Sequence, residues 1–376
     1  NPQAGAGADV MSRLAVASAP EGRARLARLV RDHLAALLRQ QTASLPGIPV
    51  ERLVLAANTA MTDIFLDRDI SGLCAAPYRR SHAGGCGLTV EGLPPLLIPP
   101  LPAPFVGGDI SAGLLRLLAD GLPRPLLLAD LGTNGELALV DARGRLWLAS
   151  VPLGPALEGI GPQCGRMAGP GSITRFEVSP LGLACHSVDG PLAAGADVQG
   201  ISATGYLSLL ALLLRLGCLD ADGHFRTPAS PLARRVAPPP QQARTGLRLP
   251  LPYGQWLAAA DVEELLKVKA AFSQALEALL RAAGLAAADV ACLALAGALG
   301  EHCPPACLEE LGFLPSGMGR RVRAVGNSSL DGAALLAAEP WRLPALARWC
   351  AAATLVPVAE DPGFHADYLR HMRFGV

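Results

Sequence analysis

LLLADLGTNGELALV, residues 126–140, decides the fold. An apolar run from Leu126 to Ala129 ends at Asp130, a Gly-Thr-Asn-Gly turn follows, and a second apolar run resumes from Glu136 to Val140. Two strands joined by a tight turn are the direct reading, with Asn134 and Gly135 supplying the positive φ that hairpin turns require. That leaves Asp130, Gly132 and Thr133 beyond what a hairpin needs. A capping aspartate that ties up turn amides accounts for the stretch as well as a ligand loop does. The turn DARG, residues 141–144, then leads into a third run from Leu146 to Ser150, so the reading extends to a meander.

Outward from this stretch, the 376 residues are 51% hydrophobic, enough to bury a large core and to divide into about two domains. Lysine plus arginine equals aspartate plus glutamate at 32 each. This balance provides no field to gather a phosphate backbone, which argues against nucleic acid as a partner. Nine cysteines are scattered without the short paired spacings of a zinc or iron–sulfur site. The one tight group, His302, Cys303 and Cys307, contains Pro304 and Pro305 and reads as ordinary loop and core. Unpatterned thiols suit a reducing compartment, so a cytoplasmic location is expected. The most apolar stretch, residues 201–219, is interrupted by Gly205, Arg215 and Gly217, and reads as a buried helix rather than a membrane span.

Along the chain, Asp9 opens a short helix, and Glu21 to Arg39 forms a longer one with Leu26, Val30, Leu34 and Leu37 on one face and a solvated arginine face opposite. A strand from Leu53 to Ala56 turns at Asn58 and Thr59 into a helix. Residues 92–105 hold six prolines, which exclude a central strand or a helix and predict a stiff crossing between two lobes. A helix beginning at Asp109 or Ser111 follows. Residues 154–172 are too rich in glycine and proline for a regular element and too long for a simple connection, which marks a functional loop. Short strands fill 173–200, a Pro/Arg-rich surface excursion covers 227–251, and Asp261 starts a further helix. The domain reading is a first lobe over 1–106, a second over 107–334, and a C-terminal segment, 335–376, packing back on the lobes.

Three strands end in small-residue turns: Asp130 to Gly135, Gly297 to Gly300, and Gly326 to Gly332. Glycines there let backbone N–H groups approach a polyanion, and a neighbouring carboxylate can hold magnesium through water. The combination points to a nucleotide. No G-x-x-x-x-G-K-[ST] loop is present, and no G-x-G-x-x-G opens a βαβ unit, so the phosphates would be held across a hairpin.

DLGTNGE followed by GPALEGIGPQCGRMAGPGSI resembles the second phosphate loop and following segment of the ATP-dependent reductive activators of corrinoid proteins. These belong to the ASKHA superfamily of acetate and sugar kinases, chaperones and actin. The similarity continues in NPQAGAGADVMSRL at 1–14, LAANTAMTDIFL at 55–66, PPLPAPFVGGDISAGLL at 99–115 and DVEELLKVKAAFSQALEALL at 261–280. LALAGALGEH and AVGNSSLDGAALLA carry it toward the end of the chain.

The resemblance implies an α/β, two-lobed actin-like ATPase with ribonuclease H-like lobes, mixed sheets flanked by helices. It implies that ATP binding or hydrolysis is coupled to reduction of a Co(II) corrinoid protein, either a corrinoid iron–sulfur protein or a corrinoid methyltransferase protein. It would make Asp130 the magnesium or water-positioning group and Gly132, Thr133, Asn134 and Gly135 the phosphate cradle. Lys269, Gly297, Ala298, Gly300 and Gly326 would flank the nucleotide, and Asp109 would orient the attacking water. The residue types are right for a reaction that needs mainly positioning and charge neutralisation. Lys269 reads equally as an exposed helix lysine, and Asp109 as a helix cap.

Two features depart from the family pattern. The family's iron–sulfur domain is not in this chain, so a cluster is expected only on a separate or upstream domain. The family's first phosphate hairpin would precede NPQ, where this sequence begins, so if nothing lies upstream the first lobe is expected to be incomplete at its N-terminus. The expected assembly is a homodimer. The competing reading is a degenerate member acting as a nucleotide sensor or interaction scaffold without hydrolysis.

Overall fold

The computed structural model describes residues 2–7, 9–44, 47–132, 134–228, 230–244 and 246–375, with Ala4 and Ala298 described by backbone alone. In chain order the first elements are α1 (Val10–Ala17), α2 (Pro20–Thr42), β1 (Leu53–Val54), α3 (Thr59–Phe65), α4 (Ser71–Cys74), β2 (Cys86–Leu88), β3 (Leu96–Ile98) and α5 (Gly108–Ala119). The meander is β4 (Leu126–Leu131), β5 (Asn134–Val140) and β6 (Leu146–Pro152). Short strands follow: β7 (Ser172–Ile173), β8 (Arg175–Ser179), β9 (Gly182–Ser187), β10 (Gly190–Pro191) and β11 (Gly200–Ile201). Next come α6 (Ala203–Arg215), α7 (Pro231–Val236), β12 (Gln241–Ala243), β13 (Gly246–Pro250), β14 (Trp256–Ala258), α8 (Ala259–Ala283), β15 (Cys292–Ala296), α9 (Gly297–His302) and α10 (Pro305–Glu310). The chain closes with β16 (Val322–Ala324), α11 (Ser328–Ala338), α12 (Leu343–Ala351), β17 (Thr354–Leu355) and α13 (Phe364–His371). Mixed sheets flanked by helices make this an α/β fold, as the sequence led us to expect.

Two compact units emerge, the first comprising residues 1–128, 138–148 and 327–355, the second residues 129–137, 149–326 and 356–376. The expected boundaries at 106/107 and 334/335 do not coincide with these, and α5 lies in the first unit. A six-stranded sheet, order β16-β15-β4-β5-β6-β17, is divided so that the line between units crosses β4, β5 and β6.

In the first unit, α1 starts where Asp9 accepts the N–H of Ser12 at 2.8 Å, so the expected cap is present. Leu14, Leu26 and Ile64 from α1, α2 and α3 share one core with Ile70 and Leu73. The proline-rich crossing differs from expectation, because Leu96–Ile98 is the central strand of a three-stranded sheet, order β1-β3-β2. It pairs in parallel with β1 and antiparallel with β2. The physical reason is local: the prolines stand at 94, 95, 99 and 100, just outside three residues that keep every N–H for the ladder.

Helices α5 and α11 meet through small residues. A Cβ on Gly332 would lie 1.9 Å from the carbonyl oxygen of Ala112, so the backbones touch only because position 332 has no side chain. Gly332→Ala must drive the two helices apart, and overpacking of this kind costs about 1–3 kcal/mol or more. Urea unfolding of the whole chain should show the corresponding fall in midpoint.

The second unit contains the antiparallel sheet β8-β9-β10, the parallel pair β7 and β11, and the meander β12-β13-β14. The Pro/Arg-rich excursion is therefore more regular than its composition suggests. Helix α6 is buried along most of its length, matching the expected buried helix in 201–219. Helix α8 is stopped by Gly284 at φ +68°, a left-handed cap that glycine adopts without strain. Among the described residues, no helix is long and apolar enough to cross a membrane.

Candidate functional site

The site begins at the end of β4. Leu126 to Ala129 are fully buried, and the strand delivers Asp130 to a partly exposed position. Desolvation there raises the Asp130 carboxyl above its ordinary value, and among the described residues no cationic side chain offsets it. The turn differs from expectation: Asn134 and Gly135 already belong to β5, so the turn precedes them. Gly132 N–H donates to the Asn134 carbonyl at 3.2 Å. Gly135 serves packing, since a Cβ there would stand 2.8 Å from Leu153 Cδ1. Thr133 lies outside the described residues, as does the side chain of Ala298.

A second loop is built at the end of β15. Gly297 (φ +75°) and Gly326 (φ +55°) both adopt left-handed backbone, and the Gly297 N–H donates to the Gly326 carbonyl at 2.9 Å. Gly300 lets α9 fold back on its strand, because a Cβ there would lie 2.5 Å from the Leu295 carbonyl oxygen. A Cβ on Gly297 would stand 3.6 Å from Asp130 Oδ1, so this loop reaches the aspartate.

Asp130, Gly132 and Gly297 line one cavity of about 690 Å3, together with Glu158, Arg175, His186 and Glu301, all in the second unit. Gly300, Gly326, Asn134 and Gly135 are not in the lining. Leu157, Glu158, Met167 and Ala168 enter from the Gly-rich loop 154–172. That loop is pinned at Gln163, whose N–H donates at 2.9 Å to Asp261, a buried carboxylate that also accepts the Ala258 N–H at 3.0 Å. Gln163 Oε1 accepts from Arg248 Nη2 at 2.7 Å and from Trp256 Nε1 at 3.2 Å. Cys164 is buried, and burial pushes its thiol up, while Arg166 bonds Gln199.

Lys269 and Asp109 stand elsewhere. Lys269 is fully buried, and its ammonium donates to the carbonyls of His371 at 3.1 Å and Arg373 at 2.7 Å, so it clasps the end of α13 rather than lining the cavity. Burial lowers its pKa to about 8. Asp109 belongs to the first unit, in the opening turn of α5, and accepts the Ile110 N–H at 2.8 Å. His302 lines the cavity, whereas Cys303 and Cys307 are buried thiols pushed up by desolvation. The one group of three possible metal ligands within reach of one another among the described residues is Asp220, Asp222 and His224.

Sequence reasoning missed Arg175, His186, Thr204 and Glu301. They come from β8, β9, α6 and α9, and a local signal exists only for Thr204, which follows the helix cap Ser202.

Comparison with known proteins matches residues 124–375 to the family model described as the C-terminal domain of RACo, the ASKHA domain, and residues 1–120 to the RACo middle region. The chain is 28% identical over 398 aligned residues to the corrinoid activation enzyme RamQ of Eubacterium limosum, covering 100% of this chain and 65% of the relative. It is 28% identical over 267 residues to the [Co(II) methylated amine-specific corrinoid protein] reductase of Methanosarcina barkeri, covering 66% of this chain and 45% of that one. A solved structure, a reductive activator for corrinoid, iron–sulfur protein, superposes with a TM-score of 0.83 at 25% identity, over 100% of this chain and 61% of that one. The chain thus spans less than two thirds of the length of the relatives it matches.

Proposed function

From the premise that this chain belongs to the RACo family, of which it carries the middle region and the C-terminal ASKHA domain, we propose that it is the ATP-handling portion of a reductive activator of a corrinoid protein. The observation that carries this reading is Asp130, a desolvated carboxylate in the lining of a cavity that the glycine turns at Gly132 and Gly297 also line. A carboxylate held in this way favours a divalent cation, and glycine loops favour the phosphates that such a cation accompanies. Magnesium would be held by Asp130 through water, where it would neutralise phosphate charge. Gly132 allows the phosphate chain to approach the backbone, and Gly297 keeps the facing loop close to the carboxylate. Glu301 borders Gly326, where a Cβ would lie 3.0 Å from Glu301 Oε1, and the left-handed backbone there (φ +55°) favours glycine.

In this reading the corrinoid target is a partner protein and the electron arrives from an iron–sulfur centre outside these 376 residues. Nucleotide-driven rearrangement then exposes the cobalt to reduction, in a homodimer located in the cytoplasm. Asp109 is proposed to orient the attacking water. Titration calorimetry with ATP, with and without magnesium, tests the site: micromolar, magnesium-dependent binding is expected. Binding indifferent to magnesium, or none, would leave the scaffold reading instead. Because the Asp130 carboxyl is raised, affinity should weaken as pH falls through its titration, and the magnesium dependence should fade with it.

A further inference from the structure

The cavity carries its negative side chains and its one strong cation on different elements. Asp130, Glu158 and Glu301 are carboxylates, and Arg175 is the only arginine or lysine among the described lining residues. A polyphosphate entering beside three carboxylates needs cationic compensation, and Lys269 is engaged on the C-terminal carbonyls.

Arg175 is held by its surroundings. Strand alternation puts Arg175 and Glu177 on one face of β8 while Phe176 is buried on the other, and the ladder sets Arg175 opposite His186 on β9. Glu177 joins the two: Oε1 lies 3.1 Å from Arg175 Nη2, and Oε2 lies 3.0 Å from His186 Nε2. Arg175 Nη2 also approaches His186 Nδ1 at 3.5 Å.

The neighbouring element adds donors. Ser202 N–H donates to the carbonyl of Ile173, two residues before Arg175, which brings the start of α6 against the same corner. Ser202 caps the helix by accepting the Gly205 N–H at 3.2 Å. Ala203 and Thr204 line the cavity, and their first-turn amides have no protein acceptor among the described residues. The dipole of this 13-residue helix favours an anion there.

We propose that Arg175, positioned by Glu177 and His186 and supported by the first turn of α6, binds the phosphate oxygens of the ligand at the end of the cavity where the carboxylates do not dominate. The inference rests on the nucleotide reading for the identity of the ligand, but the anion site itself can be probed with inorganic tripolyphosphate. A planar guanidinium held by a carboxylate and an imidazole is suited to fork onto two phosphate oxygens.

The test is calorimetric titration of the whole chain and of its Arg175→Gln and Arg175→Lys variants with tripolyphosphate, magnesium-ATP and adenosine. Arg175→Gln should weaken tripolyphosphate and magnesium-ATP by roughly tenfold or more, as loss of a charge-assisted pair does, and leave adenosine unchanged. Arg175→Lys should recover part of the loss, and Glu177→Gln should give a smaller one. Equal tripolyphosphate affinity in wild type and Arg175→Gln, no tripolyphosphate binding by wild type, or an equal loss for adenosine would overturn the assignment. Tripolyphosphate binding that depends on Arg175 without any ATP binding would uphold the anion site while removing the nucleotide reading.

Discussion

Asp130→Ala should remove the magnesium-dependent part of ATP binding, a loss of roughly 30-fold or more, since charged pairs of this kind contribute about 1.5–3 kcal/mol and an ion bound between two anions contributes more. The same substitution should raise the melting temperature of the ligand-free protein. The carboxyl pKa is raised by desolvation, so the folded state holds that proton more tightly than the unfolded chain does. The ionised form therefore costs stability above the folded pKa, and that cost is relieved as pH falls through it. The melting gain should accordingly be greatest at neutral pH and shrink in acid. Calorimetry for affinity and thermal melts for stability separate the two effects, and a variant with unaltered magnesium dependence would remove Asp130 from the site.

Lys269→Met should have the largest effect on stability. The side chain is fully buried and its ammonium satisfies two carbonyls at the end of α13. Methionine fills the space but leaves both acceptors bare, a cost of about 2–4 kcal/mol. The pH dependence is distinctive. The folded-state pKa of about 8 lies below the ordinary lysine value of 10.5, so between these values the unfolded chain holds more protons. The penalty for burying the charge is full below about 8 and vanishes above 10.5, and stability from this group rises across that window. Lys269→Met should flatten this rise in urea unfolding series, while ATP affinity of the folded fraction stays near that of wild type. A fall in affinity without a fall in stability would return Lys269 to the nucleotide.

What could be read from the sequence was what local chemistry determines. Three alternating apolar runs with short turns specified the meander, and strand ends followed by glycine marked both loops of the cavity. The exact turn was not legible. Asn134-Gly135 is the strongest hairpin dipeptide in the stretch, but both residues belong to β5, where a Cβ on Gly135 would stand 2.8 Å from Leu153 Cδ1, a packing contact 18 residues away. The number of prolines in 92–105 hides their positions, and three proline-free residues suffice for a central strand. Lys269 meets its carbonyls 102 and 104 positions later, and Arg175 meets His186 across a ladder, so neither partner leaves a mark on the neighbouring sequence.

The line that runs across β4, β5 and β6 has a consequence for inheritance. The family models divide the chain between residues 120 and 124, yet residues 126–128, 138–148 and 327–355, all beyond that point, belong to the first compact unit. A gene cut at the family boundary would strip the upstream piece of α11, against which α5 packs, and would send residues 126–128, 138–148 and 327–355 away with the downstream piece, apart from the rest of their compact unit. The two family segments are therefore not interchangeable cassettes. They are expected to pass together through gene fusion and recombination, with substitutions in one selected in the context of the other.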